Sequence, residues 1–174
     1  GLILGMGVRD LERVVYFISY IVTEVNEEER KTLLEDLQKE FKEKKKNIAK
    51  EFEDEKERKE KIEELESYLK EAKSDLNGIS KYQVLSERKY REYSMKFGNV
   101  FKAEIGTEAI EGLLKEIDLK KLEEELINET AETTGQKKKK ALKRLKVIQG
   151  LLAANVRPEW MIVKSLPVIP PGLR

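Results

Sequence analysis

The sequence predicts a mainly α fold with a small β component. Helical hairpins, one of them a coiled-coil insertion, pack on a short strand pair formed by the N- and C-terminal segments. Three observations predict this. Residues 27–76 contain no Gly and no Pro, and apolar residues recur there every seven positions. Residues 107–154 carry two more stripes at helical spacing, parted by Thr133-Thr134-Gly135-Gln136. Two short β-branched or aromatic runs, Ser19 to Val25 and Trp160 to Val163, lie toward the two ends.

Taken in order, residues 9–17 read as a short helix capped by Asp10, with Leu11, Val14, Val15 and Ile18 on one face. Ser19 to Val25 follows as a buried strand. In residues 27–76 the heptad positions are Leu34, Phe41, Ile48, Ile62, Leu69 and Leu76, and Glu55 breaks the register. Leu37, Phe52, Leu65 and Ala72 stand near the companion positions. The apolar pattern lapses from Glu53 to Lys61. One continuous helix would be about 75 Å long at ~1.5 Å per residue. It would also leave its apolar stripe in water, so a folded-back pair with the charged stretch as its tip is favoured. Asn77-Gly78 supplies a helix C-cap.

Ser86 is placed to cap a short helix through Tyr90 and Tyr93, and Phe97 to Phe101 reads as a turn with two aromatic anchors. Thr107 caps the next helix, whose inward face is Ile110, Leu113, Leu114 and Ile117. Asp118 re-caps the chain, and Leu119, Leu122 and Leu126 continue the stripe. The final helix spans about Lys137 to Ala154, with Leu142, Leu145, Val147, Ile148, Leu151 and Leu152 inward, completing a second hairpin. Pro158 ends the helical region. Trp160-Met161-Ile162-Val163 reads as a strand. Leu166-Pro167-Val168-Ile169-Pro170-Pro171 is apolar, but its prolines lack the N–H that strand pairing needs. Trp160, Pro167, Pro170 and Pro171 therefore read as an interface with something outside this chain.

Composition narrows the chemistry. The 174 residues are 40% charged and 39% hydrophobic, polar enough that apolar surface must pair helix to helix or dock on partners. There is no Cys and no His. Disulfides, Cys/His metal sites, Cys nucleophiles and His bases are excluded. No apolar run reaches the ~18–20 residues of a membrane span. The acidic triplets Glu27–Glu29 and Glu123–Glu125 sit on charged helices with nothing to separate their pKa values. Gly5-Met6-Gly7 lacks the spacing of a phosphate loop. No catalytic residue and no cofactor is expected. Without an initiator Met, the chain is expected to be a piece of a longer, soluble protein.

Overall charge nearly cancels, 35 basic against 34 acidic, but its placement does not. Lys137, Lys138, Lys139, Lys140, Lys143, Arg144 and Lys146 form a run with no intervening acid. Lys139, Lys143 and Lys146 share one helical face, with Lys140 and Arg144 beside it. Two readings fit: a solvated face that keeps the hairpin soluble, or a contact for a polyanion. No aromatic interleaves the run, so such a contact would position a backbone and not read bases.

Several motifs resemble one family. Gly5-Met6 with Arg9-Asp10-Leu11-Glu12-Arg13-Val14-Val15-Tyr16-Phe17 closely resembles a segment of the bacterial RNA polymerase β′ subunit. So do Arg157-Pro158-Glu159-Trp160-Met161-Ile162 and Leu166-Pro167-Val168-Ile169-Pro170-Pro171-Gly172-Leu173-Arg174. Between them Leu85-Ser86-Glu87, Tyr90, Phe97-Gly98, Phe101-Lys102-Ala103 and Gly106-Thr107-Glu108-Ala109-Ile110 match in the same order.

The resemblance implies the clamp, the mobile pincer over DNA, between the family's N-terminal zinc-binding cluster and its lid. Leu173 and Arg174 would stand at the start of that lid. It implies a nucleotidyltransferase parent whose zinc and catalytic magnesium are held elsewhere. The expected partners are the rest of β′, the other polymerase subunits and DNA, in the cytoplasm at the nucleoid. It also favours the phosphate reading of the lysine-rich helix, with Lys139, Lys140, Lys143 and Arg144 foremost. On this reading residues 1–26 and 79–174 are the clamp segment, and 27–78 is an inserted antiparallel coiled-coil hairpin, longer than many relatives carry there. That hairpin either binds a regulator or is merely tolerated. Three positions depart from the family pattern: Gly172 stands for the usual Asp, Thr107 for the usual Ala, and residues 27–76 are extra. A free-standing coiled-coil adaptor is the alternative.

Overall fold

A computed structural model describes residues 1–51, 55–165, 168–169 and 172, without the side chains of 49–51. Its contacts divide the chain into two units, Ile18–Glu104 and Gly1–Phe17 with Ile105–Arg174. Each is considered by itself.

In the unit Ile18–Glu104, strand β1 (Ser19–Val25) leads into helices α2 (Glu27–Glu51) and α3 (Glu55–Gly78). Strand β2 (Val84–Ser86), helix α4 (Glu87–Phe97) and strand β3 (Phe101–Glu104) follow. The sheet order is β2-β1-β3, antiparallel throughout. Ser19 faces Ser86 and Ile21 faces Val84 on one side of β1, while Val22 faces Ala103 and Val25 faces Phe101 on the other. The register slips between Val22 and Glu24, where Thr23 is the extra residue of a bulge.

Asn26 ends β1 and starts α2, because its side-chain oxygen accepts the N–H groups of Glu28 and Glu29 at 3.1 and 3.2 Å. Glu27, Glu28 and Glu29 then complement the positive end of the helix. The helices α2 and α3 fold back on each other. Arg30 donates to the carbonyl of Ile79, and further out Lys45 meets Glu66 at 2.9 Å. Rising numbers on one helix meet falling numbers on the other, so the pair is antiparallel and the single-helix alternative is ruled out.

Every described heptad position, Leu34, Phe41, Ile48, Ile62, Leu69 and Leu76, is covered, as are Leu37, Leu65 and Ala72. Phe52 falls outside the described residues. Helix α3 is already formed at Glu55, so Lys56 to Lys61 are helical. The seam runs into a core of Val22, Leu76, Ile79, Leu85, Tyr93, Phe97, Val100 and Phe101. Ser86 caps α4 by accepting from the N–H of Lys89 at 3.3 Å. Tyr20 and Tyr90 stack across β1 and α4 with centroids 4.0 Å apart.

The other unit holds α1 (Val8–Val15), α5 (Gly106–Glu116), α6 (Leu119–Glu132), α7 (Gly135–Ala153) and a 3-10 turn at Pro158–Met161. Helix α5 packs against α1 and against the 3-10 turn, and α6 pairs with α7. Val14, Ile110, Leu113, Leu114, Leu126, Ala141 and Ile148 are buried. Asp118 caps α6, accepting from Lys120 at 3.0 Å and Lys121 at 3.4 Å.

The mainly α fold with a small β component stands, but several local expectations do not. Among the described residues the C-terminal segment supplies no partner strand; β1 pairs with β2 and β3 instead. Trp160 lies in the 3-10 turn, where Trp160 N–H reaches Arg157 O and Ile162 N–H reaches Glu159 O. Pro158, with φ already fixed near the helical value, opens that turn. Asp10 does not cap α1: Gly7 occupies the cap position and Asp10 sits in the first turn. The helix stops at Val15, leaving Ile18 exposed. Thr107 is likewise inside α5, whose cap position is Ile105. On α7 the inward residue is Ala141, and Leu142 stands 46% exposed, because hairpin contact selects the stripe that includes Ile148.

Gly106 begins α5 at φ +87°, and an added Cβ would lie 2.6 Å from Cε1 of Phe17. Both strain and overlap oppose any side chain there. Gly106→Ala is expected to lower stability to urea by about 2 kcal/mol, within the ~1–3 kcal/mol typical of a forced left-handed residue. A midpoint equal to that of the unsubstituted chain would show that the Phe17 ring moves aside freely.

Candidate nucleic-acid interface

Helix α7 owes its position to the hairpin it forms with α6. Leu119 and Leu126 on α6 are buried, as are Ala141 and Ile148 on α7, and Gln149 donates to Glu123 across the pair at 3.0 Å. Thr133 ends α6, its hydroxyl donating to the Glu129 carbonyl at 2.6 Å. Gly135, at φ +66°, turns the chain into α7.

With that face inward, Lys137, Lys138, Lys139, Lys140, Lys143 and Lys146 are all exposed. Among the described residues none of them forms an ion pair, although Glu129 and Glu132 lie on the neighbouring arm. Some lysines elsewhere are paired, as Lys45 is with Glu66, Lys96 with Glu92 and Lys102 with Glu24, at 2.9, 2.7 and 2.6 Å. Lys139, Lys140 and Lys143, with Gln136, line a shallow open depression of about 300 Å³.

The charge placement opposes helix stability. The first turn of α7 has no acidic residue and holds Lys137 and Lys138, cations at the positive end of the helix dipole. Each such cation costs about 0.3–1 kcal/mol at low salt. An anion over this face would offset both that cost and the mutual repulsion of the lysines. The rise from Lys139 to Lys146 is roughly 10 Å at ~1.5 Å per residue. The same length of duplex DNA carries about six phosphate charges.

Arg144 differs from the lysines in already having backbone partners. Its Nε donates to Leu2 O at 2.9 Å and one terminal nitrogen donates to Ile3 O at 3.3 Å. The guanidinium sits so close to Gly5 that an added Cβ there would lie 3.0 Å from Cζ. It closes the turn in which Gly5 N–H reaches Leu2 O and Met6 N–H reaches Gly1 O. Two of its five N–H donors are committed to backbone, so the members of the run with no partner among the described residues are the six lysines. Gln136, a neutral neighbour of the run, gave no charge signal in the sequence and joins the set only through the depression.

Of the expected interface and lid residues the structure describes Trp160. Trp160 is 66% exposed on the 3-10 turn. Pro167, Pro170, Pro171, Leu173 and Arg174 lie outside the described residues. Among the described residues no group of three or more acidic side chains is placed to hold a metal ion. No described helix is long and apolar enough to cross a membrane.

Comparison with known proteins gives one consistent picture. The family model described as RNA polymerase Rpb1, domain 1, matches residues 4–174. The chain is 38% identical over its whole length to a protein of Caldanaerobacter subterraneus subsp. tengcongensis named DNA-directed RNA polymerase subunit beta'. A like-named protein of a Thermoanaerobacter species is 37% identical over the whole chain, and one of Dehalococcoides mccartyi 34% identical. The chain spans only 11% of the first two relatives and 15% of the third.

The division of labour along α7 is measurable. Arg144→Met is expected to cost about 1.5–3 kcal/mol, the range for hydrogen bonds to a charged group, and to speed amide exchange at Gly5 and Met6. Lys143→Met should stay within about 0.5 kcal/mol, as exposed substitutions do. Equal costs at the two positions would mean that the N-terminal turn does not depend on Arg144.

Proposed function

We propose a function from the premise that this chain belongs to the RNA polymerase Rpb1, domain 1 family. The chain is a clamp portion of a bacterial RNA polymerase β′ subunit, a non-catalytic scaffold that adds sequence-independent phosphate contacts to DNA. The observation that carries the DNA contact is the set of six exposed lysines on α7 with no carboxylate partner among the described residues.

The chemistry suits an enzyme that moves along any template. Ammonium groups on flexible stems hold phosphates through counterion release, and the lysine run has no aromatic with which to stack on bases. Lys139, Lys140 and Lys143, around one depression, are the primary contacts; Lys137, Lys138 and Lys146 extend them. The remaining partners are the rest of the subunit and the other polymerase subunits, in the cytoplasm at the nucleoid. Trp160, Pro167, Pro170 and Pro171 are assigned to the contact with those partners, and Leu173 and Arg174 to the start of the lid. Zinc and magnesium belong to other parts of the longer subunit.

Within this reading, residues 27–78 are an antiparallel coiled-coil insertion into a clamp segment made of 1–26 and 79–174. The contact of Arg30 with the Ile79 carbonyl supports this, because an insertion must leave and return at neighbouring points. A coiled-coil adaptor is not favoured, since the similarity runs through the whole chain and not through the hairpin alone.

The test is charge reversal in a polymerase that carries this segment. Lys139→Glu, Lys140→Glu and Lys143→Glu together are expected to shorten the lifetime of enzyme–DNA complexes at least about tenfold at physiological salt. The salt slope should flatten by roughly two to three, one unit per lost phosphate contact. Lifetimes and slopes that match the unsubstituted enzyme would remove the DNA contact from the proposal.

A further inference from the structure

The segment after α7 reverses the usual placement of charged and apolar side chains. Charged residues of the segment bond to groups on α5. Arg157 donates to the carbonyl of Lys115 at 2.9 Å and to Glu159 at 3.1 Å. Lys164 Nζ lies 2.9 Å from one oxygen of Glu111, and Lys115 Nζ lies 2.7 Å from the other. The apolar residues turn outward: Trp160, Met161 and Val163 are all more than half exposed. Pro158 is the one side chain between Arg157 and Lys164 that is fully buried.

We propose that Glu111 is the hub of an ionic clasp that straps the Arg157–Lys164 segment onto α5 and so fixes the outward display of Trp160, Met161 and Val163. This device is independent of the polymerase reading.

The asymmetry of burial supports the hub. The side chain of Glu111 is 13% exposed, while Lys115 and Lys164 are more than half exposed. A shielded carboxylate between two amines is screened less by salt than a pair standing wholly in water. Hydrogen bonds from Lys115 and then Lys164 hold the Glu111 carboxyl below the usual carboxylate range. Glu159 is also held low, first by a backbone hydrogen bond and then by Arg157, and its Oε2 is buried with no partner among the described residues. A segment anchored by one proline ring and a set of charge pairs loosens when the charges are neutralised or screened.

Trp160 is the single tryptophan of the chain and therefore a built-in reporter. The experiment is time-resolved fluorescence anisotropy and acrylamide quenching of Trp160 in the 174-residue chain. Glu111→Gln is expected to add a fast component to the anisotropy decay and to raise quenching about twofold, a change of the size partly exposed pairs produce. Far-UV circular dichroism should be unchanged. Lys164→Met should fall between the two. Raising salt from about 0.05 M to 1 M, where the Debye length falls to ~3 Å, should produce the same fast component in the unsubstituted chain and add little to Glu111→Gln. If Glu111→Gln leaves the decay unchanged, the packing of Pro158 and the bonds of Arg157 hold the segment without Glu111, and the clasp is disproved. Should that variant lose its helical signal, the salt series decides: a decay in the unsubstituted chain that is flat in salt overturns the proposal equally.

Discussion

The guanidinium of Arg30 donates to the carbonyl of Ile79, and the fold of the unit Ile18–Glu104 depends on that closure. It joins the first turn of α2 to the residue just after α3, so the long hairpin begins and ends at one point. The closure has a cost. Arg30 Nε is buried without a partner among the described residues, a desolvation penalty of about 1–3 kcal/mol. Leu76 and Ile79 beside it are almost wholly buried, each worth about 1.5–3 kcal/mol, which is enough to outweigh it. The arrangement also sets β1 and β2 side by side, since each follows or precedes an end of the hairpin.

Charge has two distinct uses in this chain. In several places cations meet carboxylates, on one helix as in Lys96–Glu92 or between strands as in Lys102–Glu24. Exposed pairs of this kind contribute little, typically about 0.2–1 kcal/mol. On α7 six lysines have no such partner, and two of them stand where the helix dipole disfavours them. A protein with as many acids as bases had the means to pair them. Six unpaired lysines on one helix with no intervening acid give a localised positive field on a chain of nearly zero net charge.

Much of the architecture was legible because it is periodic. The heptad residues from Leu34 to Leu76, the cap at Ser86, the cap at Asp118 and the strand Ser19–Val25 all follow from local pattern and from hydrogen-bonding groups a few residues apart. Misreadings arose where two local signals compete. Trp160 to Val163 has strand-like composition, yet Pro158 starts a helical turn just before it. Leu142 is a stronger hydrophobe than Ala141, yet the buried stripe of α7 runs through Ala141 and Ile148. At α5 the left-handed Gly106 moved the start of the helix ahead of the expected cap. The lysine run was visible as a cluster of cations with no intervening acid, but which of its members face outward was not.

The sequence by itself determined the helical hairpins, the lysine-rich arm and the absence of Cys and His chemistry, because each is a matter of composition or of spacing within a few turns. Only the tertiary structure decided that Arg144 serves the backbone at Leu2, that Glu111 gathers Lys115 and Lys164, and that β1 takes β2 and β3 as its neighbours. Those choices join residues as much as 142 positions apart. A hydrogen-bond donor carries no mark of which distant acceptor it will meet, and the meeting is settled only when buried apolar faces fix the positions of the helices that carry them.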